Sequence, residues 1–259
     1  MVKILVVGEL CEDIYVYGEV NRLSPEAPIA VINPTKTVSN DGMAGNVVKN
    51  LKFLSPKSEI LHIHQNEKIT KTRYVHEKSN QMLLRVDDGE INGIQKLSID
   101  DNISHLIESS DIVIISDYNK GFLDEETIRV ISQKSKMCLL DTKKKISQET
   151  LKNIHFIKLN ELEYKNNKEI VDNNKNKFVI TLGSNGAKYL DVIYPSSNPQ
   201  ETIDVSGAGD SFIASFGLMF LKTKDIEKSI NFANDVCANV VNKKGVSLPD
   251  TNFISLLSF

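Results

Sequence analysis

Asp204-Val205-Ser206-Gly207-Ala208-Gly209-Asp210-Ser211-Phe212 leads directly into Phe212 to Leu221, a run with the length and apolar content of a buried helix. Glycines just ahead of a helix leave bare backbone N–H groups free to converge on an anion, and the helix dipole adds to the attraction. A phosphate fits such a turn. An aspartate at its mouth would repel phosphate as a mere neighbour, so Asp210 makes chemical sense there as a base that takes the proton from an attacking hydroxyl. The plainer reading is a turn at Gly207 and Gly209 with Asp210 or Ser211 capping the helix. Taken alone, the stretch does not separate the two.

Upstream of this loop lie short runs rich in Ile, Val and Leu: Ile4 to Val7, Ile112 to Ile115, Cys138 to Leu140, Ile154 to Leu159 and Phe178 to Leu182. Such runs suit strands buried on both faces of a parallel sheet. Helix-length segments of mixed polarity separate them, among them Gly45 to Leu54, Asp124 to Ser135 and Ser147 to Asn153. The alternation predicts repeated βαβ units. Residues 14–32 and 71–86 break the pattern, because apolar and polar positions alternate there as in strands with one wet face. They are expected to form a small β-sheet lid over the end of the main sheet. Downstream, Ser211 to Phe220 and Asp225 to Asn242 carry helical spacing and predict two packed helices.

At 259 residues, 41% hydrophobic and 25% charged, the chain has material for one large domain, and residues 1–259 are expected to form it. A net charge of -3 gives no general attraction to nucleic acid. Cys11, Cys138 and Cys237 are far apart and lack the spacing of a zinc site, so they read as reduced thiols. No run approaches the ~20 apolar residues of a membrane span, and no signal peptide opens the chain. A cytoplasmic protein with no membrane partner is the expectation.

Gly-Ala-Gly-Asp late in an α/β chain resembles the signature of the ribokinase or PfkB-type carbohydrate kinases. Asn21-Arg22-Leu23-Ser24-Pro25-Glu26-Ala27-Pro28 is more specific, and is similar to the branch that phosphorylates D-glycero-β-D-manno-heptose 7-phosphate, the kinase half of the bifunctional ADP-heptose synthesis protein. Further matches follow in family order: Gly42 to Asn46, Thr70 to Arg73, Leu84 to Asp87, Ser116 to Gly121, Asp141-Thr142-Lys143, Asn160 to Glu163 and Thr181 to Gly186.

The resemblance implies a ribokinase-like three-layer α/β/α sandwich, with a mostly parallel central sheet and the small lid. It implies ATP and Mg2+ as cofactors and a sugar phosphate as acceptor. Asp210 would be the catalytic base, with Gly207, Ala208 and Gly209 as anion hole. Asn160 and Glu163 would hold the metal through water. Asn160, Thr181, Gly183, Ser184, Gly186 and Asn234 would meet the nucleotide. Asp13, Gly42, Asn46, Arg73, Arg85, Asp117 and Lys120 would meet the sugar, the cations clamping its phosphate. A homodimer through the lid is also implied.

Three departures bear on the substrate. Met43 stands where the family carries a glycine, and a side chain there is expected to narrow the pocket or forbid the original φ. The segment between Asn50 and Lys68 is short by about one βαβ unit, and the proline of Asp-Pro-Lys is replaced by Thr142. These leave open a different sugar or a nucleoside, or a silent relative that binds without catalysis. No nucleotidyltransferase half is expected, so a complete heptose pathway would need a second protein for that step.

Overall fold

A computed structural model describes residues 1–90, 93–196, 207–243 and 247–257, so Asp204, Val205 and Ser206 of the glycine stretch lie outside the described residues. In chain order the elements are β1 (Lys3–Gly8), β2 (Leu10–Leu23), β3 (Ala30–Met43), α1 (Ala44–Leu54), β4 (Glu59–Ile63), β5 (Thr70–His76) and β6 (Met82–Asp88). Next come α2 (Asp101–Ser109), β7 (Ile112–Asp117), α3 (Glu125–Lys134), β8 (Cys138–Thr142), α4 (Gln148–Leu151) and β9 (Phe156–Asn160). The chain continues through α5 (Glu161–Asn166), α6 (Lys168–Asn173), β10 (Phe178–Thr181), β11 (Ala187–Tyr189) and β12 (Val192–Tyr194), then α7 (Ala208–Thr223), α8 (Ile226–Val241) and α9 (Asn252–Leu256).

Eight strands form the main sheet in the order β12-β11-β10-β9-β8-β7-β1-β4. From β4 to β10 every neighbour is parallel, and β11 and β12 add an antiparallel edge. The reason is visible along β1, where Ile4 and Val6 pack on one side and Leu5 and Val7 on the other, all fully buried. Successive side chains of a strand face opposite sides, so two cores form on one sheet. One holds Ile112, Ile114 and Leu139 against α1, α7 and α8; the other holds Val113, Ile115 and Leu140 with Ile128 and Ile131 of α3. The expected three-layer sandwich is what these contacts build.

The smaller sheet has the order β3-β2-β5-β6, with β2–β3 and β5–β6 antiparallel and β2–β5 parallel. Its strands run beyond the expected segments, from Leu10 and on to Met43 and Asp88. β2 leaves β1 after a single residue, which carries the main sheet's C-terminal edge straight into the smaller sheet. Every residue of its edge strand β6 is exposed, including Met82, Leu84 and Val86.

Candidate active site

The parallel strands end side by side, and their C-terminal residues are those the motifs singled out: Asp117 on β7, Thr142 on β8, Asn160 on β9 and Thr181 on β10. In open α/β sheets this edge is where ligands bind. The N-terminus of α7 lies against it, with Gly207 as N-cap at φ 78 and Asp210 in the first turn.

Asp210 is 5% exposed. Its Oδ1 accepts a hydrogen bond from the Tyr118 hydroxyl at 2.7 Å and its Oδ2 accepts from Asn46 Nδ2 at 3.0 Å. Asn46 is fixed in turn by Asn50, whose Nδ2 donates to the Asn46 carbonyl at 2.9 Å from the next turn of α1. Burial pushes the Asp210 carboxyl up from 3.8 to about 6, against the pull of the Tyr118 and Asn46 hydrogen bonds. The charged form is disfavoured in a low dielectric, yet both partners favour it. A carboxylate poised near neutrality is matched to general-base work.

Tyr118 lies within the matched Ser116 to Gly121 segment, but the sequence reading gave no role to it or to Glu9, which holds it. Glu9 is fully buried, and its carboxylate accepts the backbone N–H groups of Tyr118 at 2.9 Å and Lys120 at 3.0 Å. The only signal available was an acid directly after a buried strand. Burial beside Asp210 raises the Tyr118 phenol above its usual range, so it remains a donor.

At the other end, Asp13 on β2 is bound by Arg73 Nη1 at 2.5 Å, and the Arg73 guanidinium lies 5.1 Å from the centre of the Tyr15 ring. A Cβ added to Gly42 would fall 2.1 Å from Asp13 Oδ2, so no side chain fits there while Asp13 stays. Arg85 faces Arg73 across the β5–β6 ladder and is held by Asp87, while Lys120 and Lys71 share Glu90 at 2.5 and 3.3 Å. Each cation predicted to clamp a phosphate therefore sits beside a carboxylate. Asp117 is enclosed by Thr142 Oγ1 at 2.5 Å, Lys144 Nζ at 2.6 Å and the Asn119 N–H at 3.0 Å, and it meets none of the other predicted sugar residues in a described contact.

Met43 adopts a positive φ of 54 with ψ of -134, and it is buried with Cys11 and Ile69 against Tyr118. Conformations of this kind cost a non-glycine residue roughly 1–3 kcal/mol. Beside that loop an open cavity of about 540 Å³ is lined by residues that include Asp41, Lys49, His64 and Lys68.

On the nucleotide side Asn160 and Glu163 form a capping box: Asn160 Oδ1 accepts the Glu163 N–H and Glu163 Oε2 accepts the Asn160 N–H, each at 2.8 Å. Lys143 holds the second oxygen of Glu163. The pair is thus built into the helix start rather than freely solvated. One amide and one carboxylate suit an ion that keeps most of its waters, as Mg2+ does. Among the described residues no group of three or more His, Cys, Asp or Glu could cage a metal alone. Gly183 and Gly186 shape a tight loop after β10, with φ of 58 and 88, closed by the Leu182 N–H on the Gly186 carbonyl at 2.8 Å. Thr181 Oγ1 reaches back to the Leu159 carbonyl at 3.3 Å, and Ser184 lies in the loop. Asn234, buried on α8, donates to the Tyr194 carbonyl at 2.9 Å and so ties α8 to the end of β12.

Comparison with known proteins agrees with this architecture. The ribokinase of Arabidopsis thaliana, in a structure with ribose and ATP, superimposes with a TM-score of 0.74 at 17% identity over 100% of both chains. Phosphofructokinase-2 of Escherichia coli, in complex with potassium, gives 0.73 at 16% identity over 99% of this chain and 98% of that one. In sequence, the bifunctional protein HldE of Campylobacter fetus is 31% identical over 295 residues, covering 95% of this chain. HldE of Helicobacter pylori is 31% identical over 308 residues, covering 99%. The chain spans 64% and 66% of those two proteins, just under two thirds of their length. The family model of pfkB carbohydrate kinases matches residues 57–252, and this chain belongs to that family of ATP-dependent kinases.

Proposed function

We infer that this protein transfers the γ-phosphoryl group of ATP to a hydroxyl of a phosphorylated sugar, with D-glycero-D-manno-heptose 7-phosphate as first choice and the 1,7-bisphosphate as product. The buried Asp210, held by two neutral donors at the mouth of a helix N-terminus, carries the reading. Its carboxylate takes the proton of the attacking hydroxyl while the N–H groups of Gly207, Ala208 and Gly209 face the charge on the moving phosphoryl group. Asn46 and Tyr118 aim the carboxylate, and Asp13 orients sugar hydroxyls. Arg73, Arg85 and Lys120 take the sugar's own phosphate with the donors their carboxylate partners leave free. Asn160 and Glu163 would hold Mg2+ through water, which supplies positive charge against the phosphates. Thr181, Gly183, Ser184 and Gly186 offer backbone and hydroxyl groups to the nucleotide.

The branch assignment rests on the likeness to HldE proteins. A different sugar or nucleoside is favoured by Met43 and by the cavity beside the shortened segment. Among the described residues no helix is long and apolar enough to cross a membrane, which fits a cytoplasmic enzyme. The exposed Met82, Leu84 and Val86 of β6 suit a homodimer through the smaller sheet, since open strand edges tend to be covered. Light scattering at micromolar concentration should then give twice the chain mass.

The deciding measurement is ADP release from ATP and Mg2+ with the heptose phosphate, beside ribose, fructose, fructose 6-phosphate and nucleosides. Selective turnover of the heptose phosphate is expected. Turnover of another acceptor alone would replace the substrate. Thermal stabilisation by ligands with no ADP from any acceptor would replace the enzyme by a binding module.

A further inference from the structure

Beneath the glycine loop two opposite charges are buried side by side. Lys158, in the apolar strand β9, is 6% exposed, and Asp141, in β8, is 5% exposed. Lys158 Nζ donates to Asp141 Oδ2 at 2.6 Å, and among the described residues that is the ammonium's one hydrogen bond and Asp141 Oδ1 has no partner. An ammonium carries three donors. A half-satisfied buried pair is a poor device for stability, because the desolvation of both ions is repaid only when their remaining valences are met. Its position supplies another reason for it.

A Cβ added to Gly209 would lie 2.8 Å from Lys158 Nζ and 3.8 Å from Cε, the nearest described atoms outside its own helix. A side chain at Gly209 would therefore displace the Lys158 ammonium, which rests against the backbone that immediately precedes Asp210. The groups around Asp210 are Tyr118 after β7, Asn46 on α1, Asp141 on β8, Lys158 on β9, Cys11 on β2 and Cys237 on α8. Burial pushes both thiols up to about 12, so they stay neutral at working pH. Among the described neighbours Lys158 and Asp141 carry the formal charges, and they act on Asp210 in opposite directions, Asp141 raising its pKa more than Lys158 lowers it.

We propose that the Lys158–Asp141 pair is the charged floor of the Gly207–Gly209 loop, and that Lys158 is a positioning residue that offsets the charge of Asp141 beside Asp210 and holds its ammonium under the loop's backbone. Asp141 grips the ammonium with one oxygen and fixes its place, and the ammonium in turn offsets the negative charge that Asp141 alone would set beside Asp210. In a site shielded from water such a fixed charge acts on the transferred group with little reorganisation. This inference rests on Asp210 being the base.

The test is the pH profile of kcat/KM for the wild type, Lys158→Met, Asp141→Asn and the double variant. Loss of Lys158 should move the acid limb to higher pH, and loss of the Asp141 charge should move it to lower pH, each by about one unit. The double variant has no unpaired buried charge and carries the test if Lys158→Met fails to fold. Its limb should return near that of the wild type, with kcat reduced roughly 10- to 100-fold. Adding Gly209→Ala should cost less activity in the double variant than in the wild type, because the ammonium it would strike is gone. A folded double variant with wild-type kcat and an unmoved limb in the single variants would overturn the proposal. Full turnover by Asp210→Asn would instead overturn the assignment of the base.

Discussion

Asp210, at the N-terminus of α7, is held by two neutral donors, whereas Asp13, in the smaller sheet, is held by the guanidinium of Arg73. Both carboxylates are buried. A neutral cradle leaves a carboxylate free to gain and lose a proton near pH 6, while an ion pair ties one down as an acceptor of fixed orientation. One region is suited to chemistry and the other to recognition. Substitutions should separate them cleanly.

The largest effect is expected from Asp210→Asn, which removes the proton acceptor and keeps the shape. Turnover should fall by ~10²–10⁴-fold with ATP affinity retained, as steady-state ADP release and a nucleotide-binding titration will report. The same variant should be more stable than the wild type. The folded-state pKa of Asp210 lies above its unfolded value of 3.8, so the stability that its protonation contributes is present below about pH 4 and lost as pH rises through about 6. Asparagine escapes that loss. Urea unfolding should show a gain on the order of 2 kcal/mol at pH 8 and a smaller one at pH 5.

In the smaller sheet the contrast is between two arginines that face each other across a ladder. Arg73→Ala leaves Asp13 buried without its cation and should cost about 3–5 kcal/mol. Arg85 is half-exposed and pairs with a neighbour two residues away, so Arg85→Ala should change stability by no more than about 1 kcal/mol. Thermal or urea unfolding of the two variants checks the pair. Equal losses would dissolve the distinction between a buried clamp and an exposed ion pair.

Tyr118→Phe probes the neutral cradle with little change in packing. Removing its hydroxyl takes away a hydrogen bond that lowers the pKa of Asp210, so the acid limb of kcat/KM should move above about pH 6 and activity at pH 7 should fall by roughly 10-fold. An unshifted limb would mean that another group titrates.

How much of this was legible in the sequence depends on how local the cause is. β7 to β10 declared themselves as apolar runs because strands buried on both faces must be apolar throughout. β4 did not, since Glu59 and His62 interrupt a half-buried edge strand. The β11–β12 hairpin turns through Leu190 and Asp191, both at positive φ, in place of the Asn-Gly pair that marks such turns. Asp210 was found by its glycines, whereas its hydrogen bond to Tyr118 joins residues 92 apart and depends on Glu9 holding the intervening loop. Lys158 did leave a trace, a charge within the apolar run Ile157-Lys158-Leu159. Such a lysine requires a buried partner, but sequence alone does not say which strand supplies it.

The smallest effect separates two roles that one motif supports at once. Asn160 caps α5, and Asn160→Ser keeps an N-cap oxygen in place, so stability should change by only a few tenths of a kcal/mol. Serine is too short to retain the reach of an amide toward water around Mg2+. If Asn160 also serves the metal, the Mg2+ concentration for half-maximal turnover should rise while the unfolding midpoint stays put. A variant that moves neither quantity would leave Asn160 with the cap as its whole task, and would pass the metal role to Glu163 alone. The capping box would then be the reason for the motif's three-residue spacing, because N-cap and N3 are the positions whose side chains reach each other's N–H groups.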